Sequence, residues 1–189
     1  MNTENNETPK FNRVQEIKRR LYALRNGIVA DSLRKGGLDY KMAFGLNLPQ
    51  IVEVASEIEP DKELAETFWA DDRTRESKLL APMIYPREAV TRQRASEMLR
   101  QTLTTEVADV LCHRLLRHLP FAMEVAADAV ADADDLVRYG GFRLMFNLLY
   151  AHPSEVRPFV EAELKSGAGR LTGQLCQTML DELDFLAQS

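Results

Sequence analysis

The chain has 189 residues, 45% of them apolar and 28% charged, with a formal net charge of −5. That length suits one domain with a real core and would cramp two, and the apolar content excludes a disordered chain. No apolar run approaches the roughly 20 residues that span a bilayer, and Cys112 and Cys176 stand far apart in apolar patterns, which predicts two buried thiols rather than a disulfide or a zinc site.

Residues 1–10 are polar, lack an apolar secretion core and read as the flexible N-terminus of a cytoplasmic protein. From Phe11 to Arg34 the apolar residues Val14, Ile17, Leu21, Leu24 and Ile28 recur at spacings of three and four, which predicts one long amphipathic helix stopped by Gly36-Gly37. Asp39 to Asn47 reads as a connector, and Pro49 suits the first turn of a helix running to about Glu57. Asp61 is placed to cap a helix ending at Trp69, and Asp71 or Asp72 to cap another ending at Ala81. Further helices are expected near Thr91–Gln101 and Thr105–Leu116, from Pro120 to Val130, and from an Asp134 or Asp135 cap to Tyr150. Two more run from Ser154 to about Lys165 and from Leu171 to Leu186. The prolines fall at or near the breaks, and nothing reads as a strand. Short helices joined by short loops predict an all-α stack of antiparallel hairpins in a single domain over 1–189.

Charge is unevenly spread. Residues 1–41 carry nine Lys and Arg against five acids, about +4, which leaves about −9 on the remainder. Lys18, Arg19 and Arg25 on the first helix are therefore candidates to face phosphates, beside the alternative of a solvated helix face. A smaller basic patch gathers His113, Arg114, Arg117 and His118 at the end of a later helix, with Arg114 and Arg117 candidates to meet DNA phosphates beside the alternative that a helix C-terminus favours cations in any case. On that same helix Asp109, His113 and Arg117 are spaced by four and share a face, either as an acid–base site or as a solvated ladder of ion pairs.

Phe44-Gly45-Leu46-Asn47-Leu48-Pro49, Leu64-Ala65-Glu66-Thr67-Phe68-Trp69, Glu76-Ser77-Lys78-Leu79-Leu80-Ala81, Leu119-Pro120-Phe121-Ala122 and Val137-Arg138-Tyr139-Gly140-Gly141-Phe142 follow one another in order. Over Phe44 to Leu149 this series resembles the DNA alkylation repair family, the HEAT-like helical-repeat glycosylases of the alkylpurine glycosylase D type. The resemblance implies a superhelix of HEAT-like pairs whose concave face grips duplex DNA, and excision of purines made cationic by alkylation at N3 or N7. In such a reaction a carboxylate stabilises the positive charge that builds on the sugar. Carried onto this chain, the carboxylate is Asp109. The family's groove arginines fall on Arg138 and Tyr139, so Arg138 becomes a second catalytic candidate and both residues become DNA contacts. Thr105 stands where the family has a tryptophan, and Gly167 to Ser189 holds no counterpart of its C-terminal tryptophan.

The only tryptophan of the chain is Trp69, in a helix that reads as core. Arg73, Arg75, Glu76 and Lys78 read as a mixed surface, with a buried Glu76–arginine pair as the alternative. Asp128, Asp132, Asp134 and Asp135 straddle a helix end and read as caps and solubilising charge rather than a metal site. Neither Gly36-Gly37 nor Gly140-Gly141 has the spacing of a phosphate loop. No cofactor, metal or membrane is expected. Two functions stand: a DNA-repair glycosylase acting on duplex DNA, or a noncatalytic HEAT-like module that binds DNA or a protein.

Overall fold

The computed structural model describes residues 10–38 and 40–188. The expected flexible N-terminus, Lys10 apart, lies outside these residues, as does Asp39. Among the described residues the chain is helical throughout, with no strand and one isolated bridge between Met42 and Thr74. The helices gather into two compact units, the first ending at Pro86 and the second beginning at Arg87.

In the first unit the predicted long helix is two. Helix α1 spans Lys10–Ala23 and α2 spans Gly27–Lys35. Leu24 and Arg25 close tight turns onto the Leu21 and Tyr22 carbonyls, and the Asn26 N–H leaves the helix to donate to the Phe44 carbonyl at 2.8 Å. The Asn26 side chain then accepts from the Val29 N–H and starts α2. The break rotates the stripe: Ile17 and Leu21 are buried, whereas Ile28 is 85% exposed.

Helix α3 (Leu48–Ser56) has Pro49 in its first turn, as the sequence predicts, and begins with a reciprocal cap between Asn47 and Gln50 that the sequence reading did not name. Helix α4 (Lys62–Trp69) is capped by Asp61, again as predicted. Helix α5 (Arg75–Ile84) departs from expectation. It follows Thr74 rather than an aspartate cap and continues through Pro82. Asp71 is engaged elsewhere, accepting from the Lys18 ammonium at 2.7 Å and from the Ser77 hydroxyl at 2.9 Å.

The same helix resolves the charged run. Arg75, Glu76 and Lys78 are buried, which overturns the mixed-surface reading for them and leaves only Arg73 exposed. Glu76 is fully buried and accepts from the backbone N–H groups of Phe44 (3.0 Å), Gly45 (3.0 Å) and Leu46 (3.3 Å). The Arg75 guanidinium completes the set at 3.0 Å and also donates to the Leu46 carbonyl at 2.9 Å. One carboxylate thus pins the loop that closes over α2. Gly45 sits in that loop at φ +77, where a β-carbon would lie 2.3 Å from the Asn26 carbonyl oxygen, so only glycine fits. Lys78 pairs with Asp72 and lies 4.6 Å above the ring of Trp69, itself buried as expected.

In the second unit α6 (Arg92–Arg100) and α7 (Thr105–Arg114) are capped by Thr91 and Thr104. Helix α8 (Ala122–Val130) precedes α9 (Asp135–Leu148), which Asp134 caps by accepting from the Leu136 and Val137 N–H groups. Asp128 and Asp132 pair with Arg92 and Arg100, so the aspartates of this stretch cap helices and hold arginines. Helix α10 (Pro153–Lys165) carries Pro158 inside it, another departure from prolines at breaks only, and α11 (Gly173–Ala187) packs on it.

Helices α8 and α9 approach unusually closely. A β-carbon on Gly141 would lie 2.7 Å from the Val130 backbone nitrogen and 3.0 Å from the Ala126 carbonyl oxygen. Gly140 faces α7, where the buried Cys112 thiol donates to its carbonyl at 3.3 Å. The glycine pair sets helix spacing. Cys112 and Cys176 are both free and buried, as the sequence predicts.

Candidate nucleic-acid interface

Helix α7 packs on α9, and residues spaced by four meet across that seam. Asp109 and His113 come from α7, with Arg117 in the short 3₁₀ turn Leu116–His118 that follows. Tyr139, Arg143 and Asn147 come from α9. The Tyr139 hydroxyl donates to Asp109 Oδ1 at 2.8 Å, and Arg143 Nε lies 3.0 Å from the same oxygen. One turn along, His113 Nδ1 is 3.3 Å from Asn147 Oδ1 and 3.2 Å from Arg117 Nη1. Arg117 Nε also donates to His118 Nε2 at 3.3 Å.

Burial raises the Asp109 carboxyl above its ordinary range, a push that the Tyr139 hydrogen bond and the Arg143 charge oppose and that Glu106 reinforces. Burial and then the Asp109 carboxylate raise Tyr139, so its phenol stays protonated and donates. The carboxylate that the sequence singles out is thus held by a donor and a cation from the facing helix.

The other sequence-predicted residues scatter. Arg138 does not join Asp109; it bonds Asp135 at 2.8 Å and lies 3.6 Å from Glu163. Lys18 is paired with Asp71. Arg19 is exposed, and Arg25 is exposed with its guanidinium stacked 4.2 Å over Tyr22. Arg114 is half-buried. Sequence reading misses Arg143 and Asn147. Their spacing of four from Tyr139 repeats that of Asp109, His113 and Arg117, and this matching period is the signal that finds them.

The raised Asp109 carboxyl makes a prediction with a definite sign. A group whose folded value lies above its unfolded value favours folding when protonated. That contribution is complete below about pH 4 and is lost as pH rises through the folded value. Asp109→Asn, neutral and still an acceptor for Tyr139, is expected to melt at neutral pH no lower than wild type, with the difference shrinking in acid. A clear drop in Tm at neutral pH contradicts this.

Short capped helices packed pairwise, without strands among the described residues, define an all-α helical-repeat protein of HEAT-like type. A solved structure matches the chain with a TM-score of 0.78, covering 88% of it and 74% of the other chain at 18% identity. That protein belongs to a family related to the HEAT-like repeat DNA glycosylases with affinity for branched DNA structures. The resemblance read in the sequence holds at the level of fold. No family model and no curated protein matches the chain. No helix among the described residues is long and apolar enough to cross a membrane.

Proposed function

We propose that the chain is a cytoplasmic DNA-binding module of HEAT-like fold that does not itself cleave the glycosidic bond. The observation that carries this reading is the engagement of Asp109. Stabilising a cationic sugar needs a carboxylate whose charge is available to it, and here Arg143 and Tyr139 already take up that charge. The sole indole, Trp69, is buried in the first unit and stands over no open surface where a cationic purine could stack. Binding is supported by cations left without a carboxylate among the described residues, with Arg19 and Arg25 among those in the first unit and Arg87, Arg114 and Arg117 among those in the second. The affinity of the structural neighbour's family for branched DNA structures supports a junction as the form to test beside plain duplex.

The test pairs binding with chemistry. Labelled duplex and four-way junction are titrated at about 50 and about 200 mM salt. Binding through four or so phosphate contacts is expected to weaken roughly a hundredfold between the two, with the junction bound more tightly. Methylated duplex, saturated with protein, should release no N3- or N7-methylpurine. Release that disappears in Asp109→Asn would establish a glycosylase instead, and absent or salt-insensitive binding would remove DNA as the partner.

A further inference from the structure

Arginines of the second unit are, for the most part, neutralised. Arg92, Arg100, Arg138, Arg143 and Arg157 each meet a carboxylate. Around the C-terminal end of α7 the pattern stops. Among the described residues neither Arg87, Arg114 nor Arg117 has a carboxylate partner, and the Arg114 Nε is buried without a hydrogen bond. The charges that reach the His118 imidazole come from Arg87, Arg117 and His113, all of them basic. In a chain of net charge −5, two guanidiniums and two imidazoles gathered with no acid among the charges that reach His118 suit an anion from outside.

The hydrogen bonds within the knot end on imidazole nitrogens. A guanidinium has only donors, so the His118 Nε2 that receives the Arg117 Nε–H carries no proton. His113 Nδ1 can accept from Arg117 or donate to Asn147, but not both. Arg117 is therefore held on its Nε by the His118 nitrogen, an acceptor that a phosphate oxygen outcompetes. Once Arg117 turns to a phosphate, His118 Nε2 is freed to carry a proton and donate to the same anion.

We propose that Arg87, His113, Arg117 and His118 form a seat for a backbone phosphodiester of DNA, and that filling it is coupled to protonation of His118. This rests on the DNA-binding reading above and adds where a phosphate sits and how pH controls it. Partial burial and then the neighbouring positive charges hold His118 below its ordinary value in the free protein. A seated phosphate offsets those charges and raises it, so binding takes up a proton and affinity climbs as pH falls between the two values.

Three measurements test the seat. Affinity for a short duplex, followed from about pH 8 to about pH 5.5 at fixed ionic strength, should rise by up to about tenfold per pH unit within one window, and His118→Gln should flatten that rise. Arg87→Gln should reduce the steepness of log K against log salt by about 0.9. In wild-type protein the His118 imidazole, followed by NMR, should titrate at higher pH with duplex present, and inorganic phosphate at matched ionic strength should leave it nearly unmoved. DNA binding that is salt-dependent but flat with pH overturns the seat alone, as does a wild-type slope in His118→Gln or a response to phosphate but not to duplex. Absence of any DNA binding overturns both the seat and the reading beneath it.

Discussion

Glu76→Ala is expected to cost about 3–5 kcal/mol, enough to unfold the first unit of a marginally stable protein. The magnitude follows from what one carboxylate satisfies. It accepts from the Phe44, Gly45 and Leu46 N–H groups and from Arg75, and it has no solvent exposure. Each N–H stranded in a dry interior costs about 1–3 kcal/mol, and the truncated side chain leaves a cavity besides. Arg75 keeps the Leu46 carbonyl but loses the charge that balances its own. Glu76→Gln keeps the shape and one acceptor oxygen, so its loss should be intermediate. Denaturant titration of the two variants measures both, and an alanine variant within about 1 kcal/mol of wild type would contradict the pinning role.

Gly141→Ala should destabilise the second unit by about 1–3 kcal/mol, because the added methyl meets the α8 backbone, which cannot swing away, as well as the Val130 side chain at 2.8 Å. Its neighbours would be the Val130 nitrogen at 2.7 Å and the Ala126 carbonyl at 3.0 Å, so α8 and α9 must part. Moving α9 also moves Tyr139 and Arg143 away from Asp109. Gly169→Ala is the matched control. Its added methyl would meet the Arg138 guanidinium tip at 2.7 Å, which can give, and the change should stay within about 0.5 kcal/mol. Thermal melts followed by circular dichroism should separate the two substitutions. Equal melting temperatures would show that the helix spacing is softer than the contact distances imply.

What could be read from sequence was what is decided locally. Asp61 and Asp134 begin helices because their side chains reach N–H groups two or three residues on, and that chemistry is written in a short window. The break after Ala23 was not legible, since the apolar spacing runs through it and its cause is a bond from Asn26 to the distant Phe44 carbonyl. Glu76 among charged neighbours looks like surface until the Phe44–Leu46 loop closes on it. At the seam, Asp109 was visible on its own helix, whereas Arg143 became its partner only through the pairing of α7 with α9. Arg138, one residue from Tyr139, turns instead to Asp135.

The burial of Trp69 beneath Lys78 has an optical consequence. Because the chain has one indole and it lies before Pro86, intrinsic emission excited at the long-wavelength edge of the near-ultraviolet protein band follows the first unit alone, while the helical dichroism follows both. Every variant described above therefore comes with a built-in two-channel readout. In Gly141→Ala, dichroism that falls before the emission shifts means that the second unit melts by itself, and coincident curves mean that the two melt as one.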